Sequence, residues 1–210
     1  MRLLQLVNGN LPRTEEEKEL MIKNAAEHYG KFLEALGFDW EKDPQTTDTP
    51  LRVAKAWVND IIKGSISREP VITSFDNSDG YEGMVVQTKI PVKSLCAHHN
   101  LPITGVAHVA YIPSKEGKVI GLSKLNRSVS FFAHRPNLQE SLTKQIHDFI
   151  DKKCENNIGV AVLISASHLC TCHRGVFNDS VMNTMQVSGC FFSNQRGSKD
   201  EFMKHIELTK

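Results

Sequence analysis

The sequence has almost no net charge: its 210 residues carry 25 Lys and Arg against 24 Asp and Glu, a formal charge of +1. Proteins that hold nucleic acid through its phosphates need a basic face, which so even a balance does not supply, so no nucleic-acid partner is expected and a small-molecule substrate is. No run of eighteen apolar residues is present, which leaves no candidate membrane span. The start, Met-Arg-Leu-Leu-Gln-Leu-Val-Asn-Gly-Asn, has one basic residue and too short an apolar stretch for a secretory leader, so a cytoplasmic protein is expected. Repeats, low-complexity tracts and a dividing linker are also lacking. Cysteine is scarce and odd in number, five in all, and gathers beside histidine, which favours metal ligation over disulfides.

What is present is an ordinary globular composition, 40% hydrophobic and 23% charged, enough for one sizeable core. Thr14-Glu-Glu-Glu17 has the capping-box form, and Leu20, Met21, Ala25, Tyr29, Phe32 and Leu36 follow at helical spacing up to Gly37. Thr49-Pro50 opens a second helix with apolar face Val53, Ala54, Trp57, Ile61 and Ile62, and Gly64 is expected to end it. Residues 65–83 are expected to form a loop. Alternation from Met84 to Val92 predicts a half-buried strand and residues 103–112 a second. Helical spacing returns at Leu122, Leu125, Val129 and Phe132, breaks at Arg135-Pro136-Asn137, and resumes at Leu138, Leu142, Ile146, Phe149 and Ile150. Residues 158–165 and 182–192 predict two further strands. The expected class is α+β: an antiparallel four-stranded sheet, a helix pair inserted between strands 2 and 3, and an N-terminal helical extension over residues 1–64 ahead of a catalytic domain over 65–210.

The candidate chemistry lies in two distant clusters. Ser94-Leu-Cys-Ala-His-His-Asn-Leu-Pro-Ile-Thr104 puts Cys96, His98 and His99 within four positions, and His168-Leu-Cys-Thr-Cys-His-Arg-Gly175 adds more thiols and imidazoles downstream. A thiolate and an imidazole from one tight turn, with a third ligand from Cys170 or Cys172, leave one corner of a zinc tetrahedron open, as catalysis requires. If residues 170–172 are extended, both thiols point to the same face, and alternation alone leaves both in play. The structural alternative is a set of buried thiols and satisfied histidines. Arg52 and Lys55 share a side of the second helix and are placed to clamp phosphates, although solvated surface charge is the commoner meaning of such a pair.

These same stretches carry a resemblance. Cys-x-His-His, then Gly105-Val-Ala-His-Val-Ala-Tyr-Ile-Pro113, Gly121-Leu-Ser-Lys-Leu-Asn-Arg127, Gln139-Glu140, His168-Leu-Cys170 and Arg174-Gly175 run in an order that resembles GTP cyclohydrolase I. The resemblance implies a tunnelling fold, or T-fold, whose sheets join edge to edge in a homo-oligomer, a decamer of two stacked pentameric rings. It implies Zn2+ held by Cys96, His99 and Cys170, proton transfer at the purine by His168, and handling of the ribose by His98 with Ser123. It places Glu140 and Gln139 at guanine, and Arg52, Lys55, Lys124, Arg127 and Arg174 around the triphosphate of GTP. The implied reaction is GTP plus water to 7,8-dihydroneopterin triphosphate plus formate.

Two residues have a capping alternative: Ser123 as the N-cap of its helix, and Glu140 as the N3 partner of Asn137. Four positions depart from the family pattern: Ala97 between Cys96 and the histidine pair, His134, and the additional pair Cys172-His173. Two other functions share parts of this pattern, a catalytically silent zinc-stabilised T-fold subunit and another T-fold enzyme acting on a pterin or deazapurine. Release of formate from GTP separates the lead reading from both.

Overall fold

A computed structural model describes residues 4–209; the first three residues of the expected N-terminal extension lie outside the described residues. Helix α1 spans Glu15–Ala35, and Thr14 caps it as the sequence predicts: its hydroxyl accepts from the Glu17 N–H at 3.2 Å, and the Glu17 carboxylate accepts from the Thr14 N–H at 2.9 Å. Helix α2, Thr49–Ala56, packs on α1 and runs into a π-helical turn, Trp57–Ile61.

Gly64 does not end this helical stretch. It sits inside α3, Lys63–Ile66, donates its N–H to the His134 carbonyl at 3.0 Å, and comes so near the following layer that a Cβ would lie 1.9 Å from the Phe131 oxygen. The domain boundary expected at residue 64 therefore falls within a turn that is tied to the rest of the chain. Strand β1, Ser74–Asp76, interrupts the expected loop and pairs with β4, Lys118–Ile120, as a small separate sheet.

The main sheet has five strands where four were expected. Its long members are β2 (Val85–Cys96), β3 (Pro102–Pro113), β6 (Asn157–His168) and β7 (Val181–Val187), antiparallel in that order. The fifth is β5, Pro136–Asn137, two residues paired in parallel with Leu95 and Cys96. Helices α4, Leu122–Ala133, and α5, Gln139–Lys153, intervene between β3 and β6 and cover one face over the main core of Val92, Val109, Tyr111, Leu125, Leu142, Ile146 and Ile164.

A four-residue helical turn, α6 (Leu169–Cys172), follows β6 directly. The strand expected over 182–192 stops at Val187, because Gly189 takes φ +54° and turns the chain into α7, Gly189–Ser193. Cys190 and Phe191 then pack with Phe202 and Ile206 of α8, Ser198–Glu207, as a second core on the other face of the sheet. No helix among the described residues is long and apolar enough to cross a membrane.

Candidate metal and nucleotide site

The strand ends bring the two clusters together. Residues 96–101 link β2 to β3 as a tight turn: the Cys96 N–H donates to Leu101 O and the Asn100 N–H to Cys96 O, both at 2.8 Å, and Asn100 takes φ +53°. Across β3, Ile103 pairs with His168, so the last residue of β6 arrives beside the turn. Donor atoms of Cys96, His98 and His99 lie within 4.8 Å of one another, with Cys96 buried and both imidazoles exposed. Cys96 Sγ stands 3.7 Å from His99 Nδ1.

Residues 169–172 are helical, not extended, and this separates the two downstream thiols. Positions two apart on a helix differ by about 200° in direction, so Cys170 turns inward, 8% exposed, while Cys172 is only half-buried on another side. Burial pushes the Cys170 thiol pKa up, and contact with the Cys96 thiol adds to that rise. The structure thus joins Cys170 to the cluster through Cys96 and does not join Cys172. Cys170 stands outside the group of donor atoms that lie within 4.8 Å of one another, but its interaction with Cys96 puts a second thiol beside that turn, and such a donor set would suit a thiophilic divalent ion.

Around this turn lies a polar scaffold that sequence reasoning missed. The Ala97 N–H donates to Asn137 O at 3.0 Å, and the fully buried Asn137 points its amide nitrogen at Ser94 Oγ, Phe132 O and Arg135 O at 2.9–3.1 Å. Asn137 is therefore spent on tying β2 to the start of α5 and does not cap that helix. Its N-cap is Leu138, which makes no side-chain capping bond. Glu140 stands exposed in the first turn, with no hydrogen bond or ion pair among the described residues, so capping does not account for it. Ser123 likewise is no cap; Gly121 holds that position and Ser123 is exposed in the first turn of α4.

Gln139 is 1% exposed. Its Nε2 faces Ile164 O at 3.2 Å, Met182 O at 2.9 Å and Thr184 Oγ1 at 3.1 Å, and its Oε1 meets His168 Nε2 at 2.8 Å. Burial lowers the His168 pKa, against which the Glu140 carboxylate acts in the opposite sense.

The cations expected around a triphosphate are dispersed. Lys124 and Arg127 stand on α4, where Arg127 borders a cavity of about 400 Å³ together with Lys63, Ser67 and Ser130. Arg174 is exposed just beyond α6. Arg52 and Lys55 lie apart, on α2, and Arg52 pairs with Asp48 at 3.1 Å. Of the departures from the expected pattern, Ala97 contributes its backbone to the scaffold, and His134 donates from Nδ1 to Ser130 O at 2.7 Å, with its pKa lowered by burial.

A family model described as GTP cyclohydrolase I matches residues 25–207. Among curated proteins, the GTP cyclohydrolase 1 of Flavobacterium johnsoniae is 43% identical over 93% of this chain and 84% of its own length. That of a Sulfurihydrogenibium species is 42% identical over 85% and 91%, and that of Vibrio cholerae 38% identical over 92% and 86%.

Proposed function

Because the chain belongs to the GTP cyclohydrolase I family, we propose that it uses zinc and water to open the imidazole ring of GTP, releasing formate and leaving 7,8-dihydroneopterin triphosphate. The observation that carries this reading is the convergence of the Cys96 and Cys170 thiols, the His98 and His99 rings, His168 and the start of α5 at one rim of the sheet. Cys96, His99 and Cys170 would hold the ion. When bound, zinc supplies Lewis acidity and makes water nucleophilic near neutral pH.

The chain's own groups do the rest. Glu140, unpaired in the first turn of α5, accepts from the ring N–H and exocyclic amine of guanine. His168 gives a proton to the purine ring nitrogen as water adds to the neighbouring carbon, and His98 with Ser123 handles the ribose as it opens. Lys124, Arg127 and Arg174 neutralise the phosphates.

Arg52 and Lys55 stand on the helical extension, which suits a site completed by a neighbouring subunit. The open edge of β7, with Val181, Met182 and Met185 exposed, supports ring closure of the T-fold sheets edge to edge. A ring of subunits in sedimentation is the expected result, and a fully active monomer at assay concentration overturns it.

The test of function is to incubate the zinc-loaded protein with GTP and measure formate and, after oxidation, fluorescent neopterin. No formate from GTP overturns the reading. Glu140→Gln keeps the side-chain volume and removes the charged acceptor, whose bonds contribute roughly 1.5–3 kcal/mol. About a tenfold to hundredfold weaker GTP binding is expected, with metal content unchanged; normal GTP binding removes Glu140 from the guanine site.

A further inference from the structure

The amide of Gln139 is held in one orientation by its surroundings. Ile164 O and Met182 O are backbone carbonyls and only accept, so the NH2 group of Gln139 must face them and its carbonyl oxygen must face His168. A carbonyl oxygen likewise only accepts, so the 2.8 Å contact at His168 Nε2 requires a hydrogen on that nitrogen. We infer that Gln139 is a positioning residue, which fixes the proton of the neutral His168 ring on Nε2 and leaves Nδ1 as the nitrogen that exchanges protons with substrate.

The device reaches across the fold. Gln139 opens α5, Ile164 lies within β6, and Met182 and Thr184 lie on β7; a hydroxyl–hydroxyl bond of 2.6 Å ties Thr184 to Thr143, one turn along α5. Gln139 is buried and its donors are occupied, so rotating the amide would set its oxygen against two carbonyls. His168 Nδ1 makes no hydrogen bond among the described residues. In the proposed reaction the proton leaves Nδ1 of the imidazolium, the electron pair stays on Nδ1, and the new N–H bond forms on the purine ring nitrogen. The Nε2–H bond to Gln139 is kept throughout, so the ring neither turns nor changes tautomer between its two states.

The kinetic part of this inference rests on the proposed function; the proton placement does not. The decisive measurement is solid-state NMR of the whole protein labelled with 15N-histidine, the residue-168 signals being assigned by their loss in His168→Gln. The wild-type neutral ring is expected as the Nε2–H form. Gln139→Met, of similar length with no acceptor, is expected to lose it. Gln139→Met is expected to lower kcat by at least about tenfold, with KM for GTP and zinc content little changed. A wild-type ring protonated at Nδ1 overturns the inference whether or not the protein turns over GTP, and that measurement stands even if Gln139→Met does not fold. An Nε2–H ring in Gln139→Met also overturns it. An Nε2–H ring in a wild-type protein that releases no formate supports the proton placement and overturns the proposed function instead.

Discussion

Cys170→Ser is expected to empty the metal site and bring turnover to background, whereas Cys172→Ser is expected to keep both within about twofold. The asymmetry follows from the helical turn at Leu169–Cys172, which presents the two side chains in directions about 200° apart. Only Cys170 meets Cys96. A serine hydroxyl there is a far poorer zinc ligand than a thiolate, and two remaining ligands do not hold a catalytic ion well. The Cys172 side chain is half-buried and makes no hydrogen bond among the described residues, so its loss alters at most the oxidation behaviour beside the site. Metal analysis of both purified variants decides. Equal loss of zinc from both, or loss from Cys172→Ser alone, overturns the ligand set together with the role given to His168.

His168→Ala separates holding the metal from moving the proton. The variant is expected to retain zinc and bind GTP while ring opening falls by roughly 10²–10⁴-fold, the usual contribution of general acid catalysis. The structure supports the split, because among the described residues the only hydrogen-bond partner of the His168 ring is Gln139, and its ring nitrogens lie outside the tight cluster of Cys96, His98 and His99. Removing it leaves Gln139 Oε1 buried without its donor, a stability cost of about 1–3 kcal/mol that a thermal melt will register. Zinc disappearing together with activity shows that His168 belongs to the metal and that His99 or Cys170 was wrongly preferred.

What the sequence made legible was what local pattern can carry. The capping box at Thr14 and Glu17, the alternation that gives β2 and β3, and the break at Arg135-Pro136 all appear in the structure where the pattern puts them. The turn at Leu169–Cys172 was not legible, since four residues are too few to show a helical period. The false continuation of β7 had a similar cause: Cys190, Phe191 and Phe192 suit a strand as well as a helix, and the positive φ at Gly189 decides between them. Helix α8 went unread although it seals the second core.

The candidate ligands and Glu140 could be named from residue type and order. The sequence pattern offers Asn137 as a helix cap and the resemblance places Gln139 at guanine, whereas the bonds that both make inside the fold depend on register. Only the β6–β7 pairing sets Thr184 against Ile164 and brings Met182 within reach of one amide. A buried amide that bonds carbonyls on two strands leaves no trace in spacing. The cations remain the least legible group, since charge alone does not distinguish Arg52, paired with Asp48, from Arg127 at a cavity rim.

The two-residue strand Pro136–Asn137 has a consequence for the order in which the molecule can assemble. The site is drawn from the end of β2, the start of α5 and the end of β6, points well separated along the chain. The β2–β3 turn forms locally, but bringing the start of α5 and the end of β6 to it closes long loops, an entropic cost that the β2–β3 and β3–β6 ladders offset. The parallel pairing of Leu95 and Cys96 with Pro136 and Asn137 then closes the remaining gap, bringing α5 to the turn. No excised hairpin or helix pair contains the site in miniature; it comes into being only with the whole sheet.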